Sequence, residues 1–330
     1  MSRADRSNPN LSPGRANLDT GRRRVLQALA AGVAVAVSGI HARPARAQSG
    51  GKLEVQELRG GLVLVSGAGG NVVLLRTPEG AVQVDSGSPE RAADLAKVVA
   101  ERFQSTPRTL FNTNWRLDHT GGNESVAPRG STIVAHENTR LWMSTKFYVE
   151  WEDRYYRPRK PEALPNKTFF ASDKQPLELA VGGVPIEYAQ LPEAHTDGDI
   201  YVRFPEQNVI VAGGCVTAGR YPMLDYITGG WIGGLADATK KLIDLSTPDT
   251  LIVPDAGPPQ RVADLAAQRT MLETVRERIE TIALQGRGVE DMISEGITKE
   301  FDEHYAGDPK LFIANAYEGM WWSRLRGIVA

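Results

Sequence analysis

The sequence predicts two similar α/β halves packed sheet on sheet, followed by a helical C-terminal extension. Two runs of short apolar segments of β type are each broken by turn residues. Each run is followed by a helical stretch and one more strand, and a long amphipathic stretch comes after the second.

Residues 1–47 have the three regions of an export signal in order. Residues 1–24 are polar and Arg-rich, residues 25–40 are apolar, and Ala45, Arg46 and Ala47 fit an A-x-A cleavage pattern, so the mature chain is expected to start at Gln48. The stretch from Thr20 to Leu26, with Arg22, Arg23 and Arg24, resembles a twin-arginine (Tat) signal, which implies export to the periplasm of an already folded protein. The apolar run is too short for a stable span, and no later stretch reaches the length a membrane helix needs.

In the expected mature domain, 48–330, strands are predicted at 53–58, 62–66, 71–76 and 81–85, separated by glycine turns. Pro89 opens a helix to about Phe103 with one apolar face. Strands follow at 109–112 and 131–136. A second β group covers 183–191, 200–204 and 208–212, then a helix at 235–246 and a strand at 250–253. In 261–285, Val262, Leu265, Leu272, Val275, Ile279 and Ile282 recur at helical spacing with charges opposite, and two further helices close the extension at 261–330.

Composition narrows the function. The chain has 330 residues with 38 Lys+Arg and 40 Asp+Glu. Eight Arg and two Asp fall in the first 47, which leaves 30 basic and 38 acidic residues beyond them, a net of −8. An acidic body of this kind argues against a nucleic-acid surface. A single cysteine, Cys215, excludes an intrachain disulfide. Of five histidines, His41 lies in the leader, leaving His119, His136, His195 and His304.

Polar loops at strand ends are where chemistry is expected. They are Asp85-Ser86-Gly87, NTNWRLDHTGGN at 112–123, EAHTDGD at 193–199, Gly213-Gly214-Cys215 and VPDAGP at 253–258. In order, spacing and flanks, these loops make residues 53–285 resemble the metallo-β-lactamase superfamily. The resemblance implies an αββα sandwich with a two-zinc groove at the strand ends and hydrolysis of lactams, lactones, thioesters or sulfate and phosphate esters.

The family signature reads H-x-H-x-D-H, then a lone His, then Asp or Cys, then a final His. Here Asn114 and Arg116 stand for the first two His, Asp118, His119 and His195 match, and Ala256 replaces the last. A guanidinium offers no lone pair to a metal. The resemblance therefore implies an eroded site with at most one zinc. That zinc would be held by Asp118, His119 and Cys215, with His195 the remaining imidazole of the first site, as catalytic zinc needs an open fourth position. Asn114 and Arg116 would then position and polarise a substrate.

Two alternatives stand open at two residues. Cys215 is a ligand, or a small buried hydrophobe with Gly214 at the ligand position. Arg116 fills the first zinc's place electrostatically, or turns to solvent. Asp85 and Asp197 are expected to support the site, with Asp199 also orienting His195. Asp255, adjacent to the missing His, either reaches inward or is a loop residue. Residues 142–170, rich in aromatics and Arg, read as a lid or as a helix packed on the domain. Trp115, Trp142, Trp151 and Tyr221 are the expected groove wall. The functions in view are a periplasmic protein with an eroded site, silent or weakly hydrolytic through one metal; a metal-free binder of a small anion in the same groove; or an accessory or interaction protein with the fold as scaffold. The reading leaves a homodimer open.

Overall fold

The computed structural model describes residues 52–103, 107–126, 130–170 and 176–329; the expected leader lies outside them. The predicted meander forms as β1 (Glu54–Glu57), β2 (Leu62–Ser66), β3 (Val72–Thr77) and β4 (Gly80–Val84), all antiparallel. Helix α1 (Ala92–Phe103) follows, with Pro89 in the single turn that leads into it. Then come β5 (Pro107–Phe111), the short helices α2 (Leu117–Thr120) and α3 (Asn123–Val126), β6 (Thr132–His136) and α4 (Glu137–Ser144). The hairpin β7 (Phe147–Val149) and β8 (Arg154–Tyr156) precedes β9 (Lys167–Phe169). Strands β5, β6 and β9 extend the first sheet in parallel, giving seven strands in the order β1-β2-β3-β4-β5-β6-β9.

The second sheet is β10 (Leu177–Val181), β11 (Val184–Gln190), β12 (Ile200–Phe204), β13 (Val209–Gly213) and β14 (Leu251–Pro254). The last pair is parallel, with α5 (Ile232–Asp244) as the crossover. Helices α6 (Val262–Leu284), α7 (Val289–Glu295) and α8 (Pro309–Val329) form the extension. Among the described residues, no helix is long and apolar enough to cross a membrane.

Alternation along the strands creates the layers. In β2, Leu62 and Leu64 face the opposite sheet, while Val63 and Val65 face α1. The inter-sheet core joins Val73, Val82, Val84, Phe111 and Val134 to Ile186, Tyr188, Val202, Phe204, Val211 and Val253. On the outer face of the second sheet, Tyr201, Ile210 and Ile252 pack on Leu235, Leu242, Leu272, Val275 and Ile279. The result is the expected αββα sandwich with a helical C-terminal region.

Two elements differ from expectation. Strand β10 was not anticipated, because Leu177, Leu179 and Val181 give only a short alternation beside the charged Glu178. Residues 142–170 form neither one helix nor a free lid. They complete α4, make the β7–β8 hairpin and supply edge strand β9.

Candidate functional site

Every loop singled out by its polarity lies at one end of the sandwich. Asp85 follows β4 with φ 62°, a left-handed conformation that Asp tolerates better than most residues. That twist turns its carboxylate back into the protein. Asp85 Oδ1 accepts from the Thr113 backbone N–H at 2.8 Å. Its Oδ2 accepts from Thr113 Oγ1 at 2.7 Å and lies 2.7 Å from His119 Nδ1. These contacts fix the loop after β5 and the ring of His119.

Burial alone would lower the pKa of His119, but Asp85 and Asp118 outweigh it and raise it to about 9. Asp118 Oδ2 lies 3.7 Å from His119 Nε2. Burial would raise the Asp118 carboxyl, but His119, Arg116 and His195 hold it below the usual range. Its side chain is 39% exposed, whereas Asn114, Arg116, His119 and His195 are all buried.

Arg116 does not turn to solvent. Its guanidinium lies between two carboxylates, Glu152 Oε1 on Nη2 and Asp225 Oδ2 on Nη1 at 3.4 Å. It sits 5.4 Å from the ring centroid of Trp115 and 5.3 Å from that of Trp151. Burial by itself would lower its pKa, but Glu152, Tyr156 and Asp225 raise it further from neutrality. Asn114 is tied locally, its Oδ1 accepting from the Arg116 N–H at 2.9 Å.

His195 lies across the groove. Its Nδ1 is 3.4 Å from Asp199 Oδ1 but off-line, and it has no hydrogen-bond partner. Asp199 is braced by the Thr196 N–H at 2.7 Å and the Thr196 hydroxyl at 2.9 Å. Gly214 explains the close fit of this ring: a Cβ there would stand 2.3 Å from His195 Nδ1, so no larger residue is accommodated without a shift.

Three sequence-based expectations need correction. The set Asp118, His119 and Cys215 does not converge. Cys215 is wholly buried in the apolar layer between the second sheet and its helices, and burial, with Asp199 adding to it, pushes its thiol up. Asp197 does not orient His195. Its Oδ1 accepts from the Trp142 indole N–H at 2.8 Å, and its N–H donates to Thr228 O at 2.8 Å. Tyr221 is not a groove residue: it stacks on Phe312 at 4.9 Å and donates to Asp302 Oδ1 at 2.7 Å, inside the C-terminal layer.

Trp115, Trp142 and Trp151 do gather at the site, in a cluster with Phe147, Met143, Val149 and Tyr156. The Trp115 indole N–H donates to Thr228 Oγ1 at 2.9 Å.

Sequence reasoning assigned no role to two residues of the site. Glu152 and Asp225 balance Arg116, and the signal available was the demand of any buried cation for a counter-charge. Asp255, for which the sequence left an inward and a loop position open, interacts electrostatically with His119, Asp118 and His195, and burial raises its pKa to about 6.

The donor set does not fit zinc. The first metal position has one imidazole, an amide engaged with the backbone and a guanidinium. The second has the Asp118 carboxylate and the His119 ring, with Ala256 supplying no ligand. Among the described residues, no three His, Cys, Asp or Glu side chains group as a metal holder.

Residues 65–254 match the profile of the Metallo-beta-lactamase superfamily. Solved structures agree in fold. A metallo-beta-lactamase from Pontibacter korlensis superposes with a TM-score of 0.53 at 21% identity, covering 67% of this chain and 99% of its own. One from Hirschia baltica gives 0.53 at 17%, covering 67% and 98%. A stereoselective inverting sec-alkylsulfatase from Pseudomonas sp. gives 0.64 at 14%, covering 84% of this chain and 52% of the sulfatase.

Proposed function

Because the chain belongs to the metallo-beta-lactamase superfamily, we propose that it is an exported member whose groove binds a small anionic molecule and carries out no two-zinc hydrolysis. One observation carries this reading: the Arg116 guanidinium, buried between Glu152 and Asp225, takes the place of a first-site metal ligand. The guanidinium stands between two carboxylates, so an anionic molecule binds it by replacing one of them rather than by adding to the pair. With no metal to lower the pKa of a water, the groove lacks the nucleophile that hydrolysis in this superfamily requires. Its remaining groups recognise and hold.

Elemental analysis of protein purified from the periplasm tests the proposal. The expected result is no zinc retained through dialysis and no gain of lactam, lactone or sulfate-ester hydrolysis when zinc is added back. Two equivalents of zinc, both lost on Asp118→Ala, would refute it. The second reading is a weak single-metal hydrolase, favoured by the ionised and partly exposed Asp118. One tightly bound equivalent accompanied by esterase activity would select it. Export is tested separately by replacing Arg22 with Arg23, or Arg23 with Arg24, by Lys. The twin-arginine assignment expects the precursor to stay in the cytoplasm, and normal export of both variants would reject it.

A further inference from the structure

The hairpin places the Glu152 carboxylate against the Arg116 guanidinium. Glu152 lies in the short turn Glu150–Glu152 between β7 and β8, followed by Asp153 in a left-handed conformation, φ 49°. From there its side chain reaches into the groove and is 7% exposed. One oxygen accepts from Arg116 Nη2, and the other accepts from the Tyr156 hydroxyl at 2.6 Å. The indoles of Trp115 and Trp151 lie against the same guanidinium. A cationic planar donor, a hydroxyl donor and flanking aromatic rings are what a site for an aromatic or apolar carboxylate needs.

We propose that Arg116, Tyr156, Trp115 and Trp151 form a carboxylate-binding site that Glu152 occludes from within. This rests on the metal-free reading above and names its ligand class. Charge decides between a carboxylate and a cation as occupant. Arg116 already faces Glu152 and Asp225, so an added anion would meet repulsion. A ligand carboxylate that replaces Glu152, however, leaves the local charge balance unchanged, and Asp225 keeps Arg116 paired during the exchange. Occlusion also explains why the site is closed: a tethered carboxylate competes at an effective concentration in the millimolar range or above.

The test uses the mature protein and benzoate as the probe, followed by calorimetry and by tryptophan fluorescence, with benzylammonium as the charge-reversed control. Removal of the internal competitor in Glu152→Ala is expected to tighten benzoate binding by about tenfold or more relative to the wild type. Benzylammonium is expected to bind neither protein, and Arg116→Met added to Glu152→Ala to abolish the gain. Glu152→Gln keeps the hairpin's shape without the charge. It is expected to shift affinity in the same direction, and it serves if the alanine variant does not fold. Folded Glu152 variants that bind benzoate no more tightly than the wild type would overturn the proposal, as would a gain that survives loss of Arg116. Metal analysis of the same preparations separates the two readings. Zinc-free protein without the benzoate effect rejects only the carboxylate site, and zinc-loaded protein that shows the effect rejects only the metal-free function.

Discussion

Arg116→Met removes the one positive charge between Glu152 and Asp225 and leaves the apolar stem in place. The Arg116 side chain is 10% exposed, that of Glu152 7%, and that of Asp225 0%. Breaking a buried ion pair from one side costs about 3–5 kcal/mol, because the surviving charge is left in a poorly solvated place. Against a typical total of about 5–15 kcal/mol, that is a large part of the stability. The cost should depend on pH. The pKa of Asp225 is already raised by burial, with Arg116 and His195 opposing the rise. Without Arg116 it rises further, and a carboxyl whose folded pKa is raised favours the native state only while it is protonated. The variant should therefore lose more stability at about pH 8 than at about pH 5.5. Urea unfolding at both values measures this, and adding Glu152→Gln should recover a good part of the loss. A single variant within about 1 kcal/mol of the wild type at the higher pH would show that the ion pair does not stabilise the fold, and the reasoning about the groove's central cation would fail.

Three other outcomes follow from the geometry. His119, raised from 6.5 to about 9, contributes stability that is fully present below pH 6.5 and lost as pH climbs through 9; the loss is about 3 kcal/mol. Asp85→Asn should flatten that profile, and an unchanged profile, or an imidazole titrating near 6.5 in the wild type by NMR, would contradict the brace. Cys215 should resist a thiol reagent until the protein unfolds, and Cys215→Ala should cost on the order of 1 kcal/mol without altering zinc affinity; rapid native labelling would place the thiol in the groove after all. Gly214→Ala should destabilise by about 1–3 kcal/mol through its collision with the His195 ring, and a neutral result would mean the ring swings aside freely.

The sequence made the architecture legible wherever apolar alternation and glycine turns agreed, as in β2, β3, β4 and β12. It failed at β10 and in the β7–β8 hairpin. There the strands are three to five residues long: Leu177, Leu179 and Val181 of β10 give only a brief alternation toward the inter-sheet core, and Phe147, Val149 and Tyr156 of the hairpin serve an aromatic cluster rather than one sheet face. In the site, loop order located Asp85, Asn114, Arg116, Asp118, His119 and His195. What it could not supply was direction. Cys215 and Gly214 are adjacent, and only the turn after β13 decides that glycine meets His195 while the thiol enters the core. Nor does linear spacing link Arg116 to Glu152 and Asp225, which lie 36 and 109 residues away.

The two sheets meet through an apolar layer whose contacts carry little direction. Directional bonds between the halves gather at the groove end. Ile200 N–H donates to Thr113 O at 2.9 Å, and Thr139 Oγ1 to Gly198 O at 3.0 Å. Asn71 Nδ2 donates to Pro254 O and Gly257 O, and Trp115 to Thr228. At the opposite end, the Arg59 contact with Asp249 O lies on the exposed surface. The sandwich is thus bound along one edge like a book along its spine, and the groove runs in the spine. Fluctuations that part the sheets start at the far edge, so amide hydrogens beside Thr113 and Ile200 should exchange only when the whole domain opens.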